Sequence, residues 1–125
     1  MIKEAYVSFE VAKLLKEKEF YWNCITYYVD SEPDDVKYSM LFENNTTWEE
    51  RCYSAPTHQM AMAWLREAYN INIDIVPIWN QKQWEYQIFI ITPITAKHPY
   101  VDNTLYMSYE QACEAALKHT LENFI

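Results

Sequence analysis

Cys52 and His58 stand six residues apart in a polar stretch, with Arg51 beside the cysteine. A thiol activated by an imidazole is a nucleophile for hydrolysis when a third group orients the base and the side chains come within hydrogen-bond reach. Spacing supplies neither condition, so a weak hydrolase built on this pair stands against a structural reading of both residues. Asp30, Glu32, Asp34 and Asp35 crowd four carboxylates into six positions, a density that a calcium ion neutralises. A calcium loop of the EF type needs glycine at its sixth position and a bidentate glutamate at its twelfth, where Asp35 and Leu41 stand. The cluster therefore reads as a solvated turn. His58, His98 and His119 share no ligand spacing, and His98, in the polar segment 95–102, reads as a surface histidine. Neither a metal nor an organic cofactor is called for.

Eleven Tyr, five Trp and five Phe are more rings than a core of this length needs. Trp48, Tyr53, Trp79 and Trp84 fall in or beside expected loops, where an aromatic face stacks on a base or sugar or anchors a protein interface. Trp79 and Trp84 flank a hairpin turn, so cross-strand ring packing competes with binding there. These four are the candidate ligand- or partner-binding residues.

Ten Lys and Arg against eighteen Asp and Glu give a net charge of −8. That sign repels a phosphate backbone, so nucleic acid is not an expected partner; it serves solubility first and would also suit a partner with a basic patch. Glycine is absent altogether. Phosphate-cradling loops, dinucleotide turns and nucleophile elbows all need positions without a Cβ, and the enzyme classes built on them are excluded. Cys24, Cys52 and Cys113 are too widely spaced for a zinc or redox motif, and an odd count argues against a disulfide framework. Lys3 and Glu4 interrupt the amino terminus where a signal peptide would be apolar, and no apolar run is long enough for a membrane span. The expectation is a cytoplasmic protein of one domain, residues 1–125, in which the sequon-like Asn44, Asn45, Thr46 and Thr47 stay unglycosylated.

The elements that must position these groups can be read in order. Ser8 as N-cap and Glu10 in the first turn predict a helix over 9–18, with Val11, Ala12, Leu14 and Leu15 as its apolar stripe. Segments 21–29 and 38–42 are rich in β-branched and aromatic residues and predict a hairpin, with the acidic stretch 30–35 as a long turn. Residues 43–54 form the longest expected loop. Thr57 caps a second helix in which Ala61, Trp64, Leu65 and Ala68 share a face. Alternation over 71–91 predicts a second hairpin, with its first strand at an edge because Pro77 cannot donate to a ladder, and its second nearer the sheet centre. Ser108 and Gln111 form a capping-box pattern opening a last helix, whose stripe runs through Tyr109, Ala112, Cys113, Ala116, Leu117, Leu121 and Phe124. Two helix starts look alike: Tyr6-Val-Ser-Phe-Glu-Val-Ala and Tyr106-Met-Ser-Tyr-Glu-Gln-Ala share Tyr, Ser, Glu and Ala in register. The fold expected is α+β, a sheet of about four antiparallel strands with three helices on one face, in the order helix, two strands, helix, two strands, helix.

Three strings carry a resemblance. Tyr6-Val-Ser-Phe-Glu-Val-Ala-Lys-Leu-Leu-Lys-Glu-Lys, the stretch Ala55-Pro56-Thr57 leading to Trp64-Leu-Arg-Glu67, and Ser108-Tyr-Glu-Gln-Ala-Cys-Glu-Ala-Ala-Leu117 through Asn123 resemble an uncharacterised small-protein family of gut Bacteroidota and their phages and prophages. The resemblance covers the three helices and implies a host. It implies no functional residue.

With no acid/base pair, nucleophile or metal set standing out, the leading expectation is a small non-enzymatic binding protein, a phage or prophage accessory factor engaging a host protein. The alternative is a small-ligand binder for a nucleotide-like molecule, with rings stacking on the base. That alternative needs Arg51, Arg66, Lys82 and Lys97 to converge.

Overall fold

Short hydroxyl side chains open the three helices. Ser8 accepts the Val11 amide at 3.2 Å, Thr57 the Met60 amide at 3.2 Å, and Ser108 the Gln111 amide at 3.1 Å, each satisfying a donor that has no partner within its own helix. Gln111 completes its box one residue early, accepting from the Met107 amide rather than from Ser108. The computed structural model describes residues 5–91 and 100–125. In chain order the elements are α1 (Phe9–Glu17), β1 (Cys24–Val29), β2 (Glu32–Glu43), β3 (Cys52–Ser54), α2 (His58–Tyr69), β4 (Ile71–Ile78), β5 (Gln83–Ile90), β6 (Tyr100–Val101) and α3 (Tyr109–Asn123).

The α+β class holds, but the single four-stranded sheet does not. The chain divides into two compact units, Met1–Ala61 and Met62–Ile125, and each has its own three-stranded antiparallel sheet, ordered β2-β1-β3 and β4-β5-β6. The two unforeseen strands are β3 and β6, three and two residues long. Neither is long enough to show the period-two alternation by which strands are recognised.

In the first unit α1 packs against β3 and buries Val11, Ala12 and Leu15. Phe20, fully buried, returns its amide to the Leu15 carbonyl at 2.9 Å and closes the helix. The turn that permits this puts Glu19 at φ 64°, a left-handed position usually given to glycine. Asn70, Asn80 and Lys82 take the same region; with no glycine in the chain, asparagine fills two of the four sites at low cost and Glu19 and Lys82 bear the Cβ clash. Glu19→Gly is therefore expected to raise stability by about 1 kcal/mol in urea unfolding, net of the greater entropy of the unfolded chain.

The expected long turn over 30–35 is short. β2 resumes at Glu32, directly after Asp30 and Ser31, and Lys37 bridges the Glu32 and Asp35 carboxylates across the strand's exposed face. Lys37 thus offsets two of the four crowded carboxylates. The ladder with β1 is irregular: Tyr38 and Glu43 lie opposite Thr26 and Cys24, so five steps along β2 face two along β1. The residues between them leave the ladder as a wide bulge.

In the second unit β4 and β5 pair without a break from Ile71↔Ile90 to Ile78↔Gln83, with Pro77 on the edge strand and β5 at the centre. α3 lies on β5 and β4, burying Ala112, Cys113, Ala116, Leu117, Thr120 and Leu121. The two similar strings do the same job: Tyr6 and Tyr106 each form an isolated antiparallel bridge, with Thr57 and Trp84 respectively, and the serine two residues on caps the helix. α2 buries Ala61, Met62, Trp64 and Leu65, but Ala68, expected on the same face, is exposed. Among the described residues no helix is long and apolar enough to cross a membrane.

The thiols of Cys24 and Cys113 are pushed up to about 11 by burial, and both act as small hydrophobes. An unfolded thiol ionises near its ordinary 9.0, so the stability these two contribute is intact below about pH 9 and is lost as pH rises toward 11. Thermal melts should show Tm falling above pH 9, and the Cys24→Ala, Cys113→Ala double variant should flatten that decline.

Candidate functional site

The bulge in β2 is built by Ser39, whose hydroxyl accepts the Leu41 amide at 3.1 Å and lies 3.5 Å from Glu43 Oε2. The turn so made leaves Met40, Leu41 and Phe42 pointing away from the sheet: Met40 is 98% exposed, Leu41 70% and Phe42 71%. Three consecutive apolar residues are not what a half-buried strand carries, since its side chains alternate between faces. The signal was in the sequence, where this segment reads as an ordinary hairpin strand. Tyr38, also largely exposed, meets Tyr6 edge-on at 6.3 Å.

Beyond Glu43 the expected loop is ordered by asparagines. Asn44 accepts from Thr46 through its side chain and from the Thr47 and Trp48 amides through its carbonyl. Asn45, nine-tenths buried, donates to the Phe20 carbonyl at 2.8 Å and accepts the Ser54 amide at 2.9 Å. Ser54 in turn accepts the Trp48 indole N–H at 2.8 Å. This chain of bonds holds the Trp48 ring against Tyr27, centroids 4.6 Å apart and planes tilted by 31°. The result is a cleft of about 500 Å³ lined by Tyr27, Trp48, Glu43, Glu49, Arg51 and Cys52, among others.

The four ring candidates divide between the units and fare differently. Trp48 forms a wall of the cleft. Tyr53 does structural work: Phe9 meets it edge-on at 5.3 Å, and Lys16 Nζ sits 4.5 Å above its ring while donating to the Glu50 and Cys52 carbonyls, both at 2.9 Å. Trp84 packs edge-on against Tyr109 at 5.4 Å, so its ring meets α3 in place of the expected cross-strand packing with Trp79. Trp79 is 76% exposed, its indole bonded to Asn80.

Arg51 lines the cleft, Arg66 and Lys82 are exposed in the second unit, and Lys97 and His98 lie outside the described residues. Cys52 is buried, and its thiol is raised first by that burial and then by the Glu49 carboxylate, against the opposing charges of Lys16 and Arg51. A thiol held protonated is a poor nucleophile. His58 is also buried, at the start of α2. Among the described residues no cluster of three or more His, Cys, Asp or Glu is placed to hold a metal.

A polar group in the second unit had no sequence signal. Tyr106 donates to Asp102 Oδ2 at 2.7 Å, and Thr104 donates to Oδ1 through its hydroxyl at 2.8 Å and its amide at 3.2 Å. Burial opposes ionisation of Asp102, but bonds from Tyr106, Thr104 and Tyr86 outweigh it and hold the carboxyl below its usual range. The Tyr106 hydroxyl is pushed up to about 12, by burial first and then by its bond to Asp102. Beside it, His119 stacks on Tyr100 at 4.4 Å. Fastened in this way, the segment after β6 has the character of a structural clasp.

Compared with protein-family models, curated proteins and solved structures, the chain matches none of them.

Proposed function

We propose that the protein is a small non-enzymatic interaction protein that engages a host protein through the β2 bulge, a cytoplasmic phage or prophage accessory factor in keeping with the resemblance of its helices. One observation carries this: Met40, Leu41 and Phe42 stand out consecutively from a sheet edge, each at least 70% exposed. Holding three large apolar side chains in water costs solubility and returns nothing to the fold, whereas a partner surface that covers them gains their full burial. The bulge also interrupts the edge, which disfavours indiscriminate strand addition.

A photo-crosslinking residue placed at position 41 tests the reading. In Bacteroidota lysate it should yield a discrete adduct that is absent from the same residue at Glu67, an exposed position on α2. Adding Met40→Ser and Phe42→Ser should abolish the adduct with Tm within about 2 °C of the parent, as for exposed substitutions. No adduct at position 41, or equal adducts at both positions, would refute it.

The cleft beside the bulge favours a second reading, a small-ligand site with Tyr27 and Trp48 as a stacking wall. For a nucleotide-like ligand its charge is unfavourable, because Glu43 and Glu49 face the phosphate along with Arg51. Thermal-shift measurement with nucleotides separates the readings, since a ligand bound only by the folded state raises Tm.

A further inference from the structure

Resting on the interaction reading, we infer that the Tyr27–Trp48 cleft is the pocket for a guanidinium or ammonium side chain of the partner protein. The cleft and the bulge are one surface feature. Ser39, the first residue of the bulge, and Glu43, which closes it, both line the cleft, so a partner laid across Met40, Leu41 and Phe42 brings its neighbouring side chains to the cleft mouth. Two carboxylates, Glu43 and Glu49, line the cleft against one guanidinium charge, that of Arg51. Among the described residues neither cleft carboxylate is engaged in an ion pair, so their charge remains available to an incoming cation.

The aromatic wall selects in the same direction. The indole N–H of Trp48 is bonded to Ser54 and one face of its ring lies against Tyr27; the incoming cation is set against the ring surface that remains. A cation is attracted to that surface by the ring quadrupole, and an indole is the strongest such partner among side chains. A guanidinium can stack on the rings and hydrogen-bond a carboxylate together, because its donors lie in a planar fork. A second copy of this chain is a poor occupant. Glu32, Asp34, Asp35 and Glu43 all belong to β2, and a self-pairing would set like charges opposite one another. A partner with basic residues rimming an apolar hollow meets both features.

The test uses 15N-labelled full-length protein and two capped peptides, acetyl-Leu-Phe-Arg-Ser-amide and the same peptide with citrulline, the neutral isostere of arginine. The arginine peptide should shift the Trp48 indole signal and bind about tenfold tighter than the citrulline peptide. Glu43→Gln with Glu49→Gln should bring that ratio close to one, and Met40→Ser with Phe42→Ser should weaken both peptides alike. Equal affinities for the two peptides, or a Trp48 signal unmoved by millimolar arginine peptide, would overturn the assignment while leaving the position-41 crosslink to judge the interaction reading by itself. Arginine amide binding as tightly as the peptide would overturn the partner side chain as the source and show a site for free organic cations.

Discussion

Asn45→Ala is expected to destabilise the first unit by about 3 kcal/mol, because it strips the donor from the Phe20 carbonyl and the acceptor from the Ser54 amide, and each buried polar group so deprived costs about 1 to 3 kcal/mol. One side chain thereby ties the segment that closes α1 to β3, two places that no helix or strand connects. Asn45→Asp should not rescue the loss. It keeps an acceptor for Ser54 but sets a buried anion against the Phe20 carbonyl. Urea unfolding followed by circular dichroism would measure the change, and amide exchange at Ser54 would report it locally. Since Ser54 also holds the Trp48 indole, the variant should release the ring and quench the response to the arginine peptide. A destabilisation below about 0.5 kcal/mol, the ordinary range for surface positions, would mean that water replaces both bonds and that the loop is not organised by Asn45.

Asn45 also marks where reading the sequence stops. Local chemistry was legible: Ser8, Thr57 and Ser108 cap the helices expected of them, and Pro77 lies on an edge strand. These features depend on neighbours within four residues, or on a residue that lacks an N–H altogether. The division into two sheets was not legible, because it depends on β3 and β6, whose few residues are defined by the strands they meet and not by any pattern of their own. The site was half legible. Trp48 could be named as a ring in a loop, but its orientation depends on Ser54, and Ser54 depends on Asn45, a sequence of long-range bonds with no periodic signature. The bulge is the instructive omission. Met40, Leu41 and Phe42 break the alternation that a hairpin strand should show, and that local conflict coincides with the most exposed apolar residues of the segment.

Leu117→Ala should cost about 3 to 4 kcal/mol, and Leu41→Ala less than about 0.5 kcal/mol, although both delete the same atoms. Leu117 is fully buried on the face of α3 that lies on β5 and β4. Truncation removes its transfer free energy and leaves a cavity that the flanking Ala116 and Cys113 are too small to fill. Among the described residues of the second unit the large buried side chains are Met62, Trp64, Leu65, Ile71, Ile73, Tyr86, Ile88, Leu117 and Leu121, so the loss of one is a substantial part of the roughly 5 to 15 kcal/mol that holds a domain folded. Leu41 is 70% exposed and has little folded-state packing to lose. Urea unfolding of the pair measures both, and a cost at Leu41 above about 1 kcal/mol would show that the bulge is packed into the fold and not presented by it. With Leu41→Ala neutral to folding and the position-41 crosslink positive, the exposed bulge would have a binding role and no measurable role in stability.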